Sequence, residues 1–114
     1  MKNSEKVAEL IKGVLVGDWQ KAVVSGFLNA NSNGLRVPLY IAVKMADGSI
    51  ASNLHKDYDE EQLARAIVTT AEVKGPYQFT LVLLSNGEVT VDEGSCAFGA
   101  DGDITSDWES KYLH

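Results

Sequence analysis

Residues 77–93, YQFTLVLLSNGEVTVDE, set two apolar-alternating runs on either side of Ser85-Asn86-Gly87. Asn-Gly between such runs is a hairpin signal, and the loop length decides which side chains share a face. A two-residue Asn86-Gly87 loop would set Leu83 opposite Thr90. A three-residue loop, with Gly87 left-handed, sets Leu83 opposite Val89 and Leu81 opposite Val91. The second joins the two apolar faces and is the expected register.

The stretch LRVPLYIAVKM (35–45) gives the cleanest alternation in the chain. Leu35, Val37, Leu39, Ile41, Val43 and Met45 share one face, and Arg36, Tyr40 and Lys44 take the other. Pro38 donates no ladder hydrogen bond, which assigns it to an edge or a bulge. WQKAVVSGFL (19–28) is a further β-rich run, followed by NANSNG (29–34), a loop of turn formers. Asp47-Gly48 signals a tight turn, and SIASNL (49–54) suits a short additional strand.

Three segments have helical spacing. Val7, Leu10, Ile11, Val14 and Leu15 form one face of a helix over 4–16, with Asn3 or Ser4 as its cap and Gly17 at its end. A second helix spans 60–74. Asp59 caps it, Tyr58 and Leu63 form a hydrophobic staple, and Gly75-Pro76 stops it. Its buried stripe is Leu63, Ala64, Ile67, Val68 and Ala71. SDWESKYL (106–113) suits a last short helix capped by Ser106, with Trp108 and Tyr112 on one side. The order α-β-β-(β)-α-β-β-α implies an α+β fold in one domain, 1–114. Its expected form is a mainly antiparallel sheet of four to five strands with two helices packed on one face.

Function classes are narrowed by what the chain carries. Its apolar content of 45% suits a packed globule, and no segment approaches the ~20 apolar residues of a membrane span. MKNSEKVAELIKGVLVGDW lacks signal-peptide organisation, and Cys96 is the single cysteine, so the expectation is a cytoplasmic protein without an intrachain disulfide. Residues 1–56 carry seven bases and four acids, leaving +3; residues 57–114 carry three bases and twelve acids, leaving −9. No base lies between Lys74 and Lys111. An acidic half of this kind disfavours nucleic acid and favours a basic partner.

Residues 101–109, DGDITSDWE, have the alternation of a calcium loop. Counted from Asp101, however, position 6 is Ser106 instead of glycine and position 12 is Tyr112 instead of glutamate, so the turn residue and the bidentate ligand are missing. No C-x-x-C or H-x-x-x-H pair starts a zinc site. GSC (94–96) lacks the G-x-S-x-G pattern, and only His55 and His114 could serve Cys96 as a base. No phosphate-binding G-x-x-x-x-G-K motif is present. The expectation is a non-enzyme without cofactor or metal, whose acids face a partner.

Several stretches together resemble the YezG-like family of bacterial immunity proteins. They are the Trp-Gln-Lys strand opening at 19–21, the acidic Tyr-Asp-Glu-Glu helix start at 58–61, FTLVLLSNGEVTVD at 79–92 and DWESKYL at 107–113. The resemblance covers most of the chain, from Trp19 to Leu113, although this sequence is short between the hairpin and the terminal Trp. It implies a cytoplasmic antitoxin of the kind found in polymorphic-toxin and contact-dependent growth inhibition systems. Such a protein binds and occludes a cognate toxin domain, here expected to be a basic nuclease. The resemblance supplies no catalytic residues and fixes neither the toxin nor an oligomeric state. From the residues themselves the expected partner-binding set is Asp92, Glu93, Asp101, Asp103, Asp107, Trp108, Glu109 and Tyr112, with the acids steering and the aromatics anchoring. The alternatives are a small-molecule-binding or enzymatic α+β domain built around His55 or Cys96, and a calcium-responsive module.

Overall fold

The computed structural model describes residues 1–31, 34–36, 39–51, 57–99 and 101–113, with the side chains of 29–31 and 34–36 left aside. The elements run α1 (Ser4–Lys12), β1 (Trp19–Asn31), β2 (Gly34–Arg36), β3 (Leu39–Met45), β4 (Ile50–Ala51), α2 (Glu60–Ala71), β5 (Gly75–Leu84), β6 (Val89–Glu93) and α3 (Ser106–Tyr112). The fold is α+β. The strands form one sheet in the order β4-β3-β1-β5-β6, with β2 paired to the far end of β1. Every pairing is antiparallel.

The hairpin has the expected register, with Leu83 opposite Val89 and Leu81 opposite Val91. Gly87 holds φ 97° and its N–H donates to Leu84 O at 2.9 Å, which closes the three-residue loop. The long β1 strand sits between β3 and β5, and its pairing with β5 runs from Lys21 opposite Leu84 to Ala30 opposite Gly75, a long-range contact along its whole length. Close packing at this centre depends on Gly26. A Cβ there would lie 2.6 Å from Leu39 Cδ2 and 3.0 Å from Phe79 Cε1, so the absence of a side chain is what lets those two residues close over the strand.

The alternation of the strands loads both faces of the sheet. On the first, Ala22, Val24, Leu28, Ile41, Val43, Phe79, Leu81 and Leu83 pack under α1 and α2. Fully burying a Leu or Phe contributes about 1.5–3 kcal/mol, so this layer is the main source of stability. The second face carries a smaller core: Val23 and Ala42 from the sheet, Ala97, and Trp108, Tyr112 and Leu113 from the α3 region. The expected pair of helices on one face is present, and a third helix covers the other.

Several boundaries differ from the sequence expectation. α1 ends at Lys12, not 16, with Gly13 at its C-cap. Asn3 precedes it in a left-handed conformation and makes no side-chain cap bond; its amide instead donates to Thr70 O at 2.9 Å, tying α1 to α2. α2 starts as expected, with Asp59 accepting from Gln62 N at 3.0 Å, but stops at Ala71. Glu72 is left-handed there, and Val73 N reaches back to Val68 O at 3.0 Å, a C-terminal motif usually made by glycine. Gly75 and Pro76 therefore belong to β5. The expected loop at 29–34 is largely strand, because Asn29–Asn31 pair with β2. The run 35–45 is divided between β2 and β3, and the helix over 106–113 is capped by Thr105, not Ser106. Val37, Pro38, His55, Lys56 and His114, and the side chains of Leu35 and Arg36, lie outside the described residues.

Candidate functional site

The register of four strands places a polar row on the second face of the sheet. Tyr40 in β3 pairs with Ser25 in β1, Ser25 with Thr80 in β5, and Thr80 with Asp92 in β6. Ser25 and Thr80 are fully buried, so their hydroxyls must find partners inside the protein. They do. Ser25 Oγ donates to Phe79 O at 3.1 Å and accepts from Ala97 N at 2.8 Å. Thr80 Oγ1 accepts from Trp108 Nε1 at 2.9 Å and lies 3.2 Å from Ser95 O. The Tyr112 hydroxyl donates to Asp92 Oδ2 at 2.6 Å and lies 2.9 Å from Ser95 Oγ.

These bonds fix the layer that covers the row. Trp108 meets Tyr40 edge-on at a ring separation of 5.6 Å and Tyr112 at 5.4 Å. Both α3 aromatics are at or below 5% exposed. Trp108 and Tyr112 are therefore core residues that hold α3 down, and they are not presented to a partner as anchors. Their helical spacing was legible in sequence; which side of the molecule they faced depended on Ser25 and Thr80, single hydroxyls inside the apolar runs VVSGFL and FTLVLL.

The acids follow a different pattern. Phe98 and Ile104 form an isolated bridge, and both are packed against the second core. Gly99 N bonds Asp103 O at 2.8 Å and Gly102 N bonds Gly99 O at 3.0 Å, closing a tight loop. Asp101 Oδ1 accepts from Asp103 N at 3.1 Å at its tip. Asp101, Asp103 and Asp107 are exposed. Among the described residues none of the three has an ion-pair partner. Glu109 is half-buried near Tyr40, whose hydroxyl pKa is raised first by burial and then by the Glu109 charge.

Two expected contact residues are engaged internally. Asp92 is half-buried against Tyr112. Glu93 is exposed and pairs with the Met1 ammonium; that hydrogen bond, then the ammonium charge, lowers its pKa. The eight-residue set thus divides into the exposed acids Asp101, Asp103 and Asp107, with Glu109 beside them, and an internal group of Asp92, Glu93, Trp108 and Tyr112.

Cys96 is a half-buried free thiol beside the buried Ala97. Among the described residues no three His, Cys, Asp or Glu side chains converge as a metal set. No helix among them is long and apolar enough to cross a membrane. Comparison with protein-family models, with curated proteins and with solved structures finds no match to this chain.

Proposed function

We propose that this protein is a cytoplasmic immunity protein that binds a basic toxin domain and occludes its active surface. The observation that carries the reading is the loop at 98–104. Its apolar residues Phe98 and Ile104 are packed against the second core, while Asp101 and Asp103 stand exposed and, among the described residues, without an ion-pair partner. Exposed carboxylates raise the encounter rate with a positive surface. Asp107 and Glu109 extend the same acidic stretch onto α3. The likeness of FTLVLLSNGEVTVD and DWESKYL to immunity-protein segments supports the same role. In this reading the carboxylates stand where a nuclease would hold substrate phosphates, and no catalytic residue is required.

Affinity capture of the tagged protein from its native cells, washed at low and at high salt, tests the role. The expected result is one stoichiometric basic protein, retained at low salt and released at high salt. Recovery of an acidic or neutral partner that resists salt would contradict it.

A further inference from the structure

Strand β1 carries one irregularity. Trp19 pairs with Met45 and Lys21 with Lys44, so Gln20 is an extra residue and the strand is bulged. In a regular strand Lys21 would share the face of Trp19. Instead Trp19 and Met45 pack against the first core, while Lys21 stands on the second face in a row with Lys44 and Leu84. The bulge thus places two ammonium-bearing side chains directly opposite each other. Like charges in that position destabilise a sheet unless something negative joins them.

Nothing in the described protein does so. The ion pairs engage Met1, Lys2, Lys12 and Arg65, and neither Lys21 nor Lys44 meets an acid. The Lys21 pKa is lowered, first by burial and then by the charge of Lys44. The two lysines line a hollow of about 370 Å³ with Gln20, Leu84, Ser85 and Asn86. Ser85 N bonds Gln20 O at 2.9 Å, which ties the β5–β6 turn to the bulge. Asn86 Oδ1 accepts from Glu88 N at 3.0 Å, leaving its NH₂ group as a donor.

We propose that this corner binds the phosphate group of a small anionic ligand, with Lys21 and Lys44 supplying the charge and Asn86 a further donor. Two ammonium groups suit a dianion better than a single carboxylate, which would neutralise only one of them. The remainder of a chain with net charge −6 repels anions, so binding must be local to this pair.

Titration of the ¹⁵N-labelled protein with inorganic phosphate, against sodium chloride at matched ionic strength, tests the site. The expected result is saturable shifts confined to the amides around Lys21, Lys44, Ser85 and Asn86. Lys21→Gln and Lys44→Gln should each weaken binding about tenfold or more, the loss of one charge-assisted hydrogen bond, while Lys44→Arg retains it. The same spectra report whether each variant is folded. Phosphate should also raise the melting temperature of the unsubstituted protein more than chloride does. Shifts that rise without saturation, that chloride reproduces, or that persist undiminished in both glutamine variants would overturn the proposal.

Discussion

Thr80 shows how one hydroxyl can decide the arrangement of a layer. It is fully buried in β5, and it is the acceptor for the Trp108 indole N–H. Valine has nearly the same shape but no acceptor. Thr80→Val should therefore leave a buried donor unpaired and cost about 1–3 kcal/mol, measured by urea denaturation. Tyr77 provides a second residue-scale prediction. Burial raises its pKa, the Glu93 carboxylate raises it further, and together they push it up to about 12. In the unfolded chain the phenol ionises near its ordinary value of about 10. Between these values the folded state holds a proton that the unfolded state has lost, so stability falls as pH rises through that window. The fall should be smaller in Tyr77→Phe, and the native protein should show one phenolate absorbance step delayed to about pH 12.

At the scale of elements, the second core makes α3 part of the cooperative unit. Trp108, Tyr112 and Leu113 pack directly on Val23 and Ala42, which belong to the central strands. In a Trp19→Phe background, Trp108 fluorescence and far-ultraviolet circular dichroism should give coincident unfolding transitions. An earlier fluorescence transition would mean that α3 is a loosely held appendage. The elements also show what sequence could and could not convey. The β5–β6 register followed from matching Leu81 and Leu83 to Val91 and Val89, because a slip would have turned every valine outward. The start of α2 was equally readable, since Asp59 and Gln62 lie three residues apart, the local spacing of an N-cap. Its end was not, because Glu72 adopts a conformation that its residue type does not favour. The placement of α3 and the Lys21–Lys44 pair depended on long-range pairing of β1 with β3 and β5, which no local pattern encodes.

At the scale of the whole molecule, the sheet separates two tasks. Its first face, under α1 and α2, carries the larger core. Its second face is covered by a thinner layer whose aromatic residues point inward and whose acids Asp101, Asp103 and Asp107 point to solvent. The acids Asp101, Asp103 and Asp107 therefore sit on a layer with its own anchorage, separate from the main core. Sequence identified the exposed acids of the candidate site but grouped them with Trp108 and Tyr112, because an aromatic next to acids reads the same whether it faces in or out.

That separation makes the central claim directly testable. Asp101, Asp103 and Asp107 are all exposed and can be reversed to lysine together, giving up the hydrogen bond that Asp101 Oδ1 accepts from Asp103 N, with circular dichroism of the variant checking that it is folded. The decisive measurement is the affinity of the captured, purified partner for the unsubstituted protein and for this triple variant over a series of salt concentrations. The account predicts binding weakened by about tenfold or more at low salt, with a much flatter salt dependence in the variant. Equal affinity and an equal salt slope in the two proteins would show that the acidic loop is not the surface the partner meets.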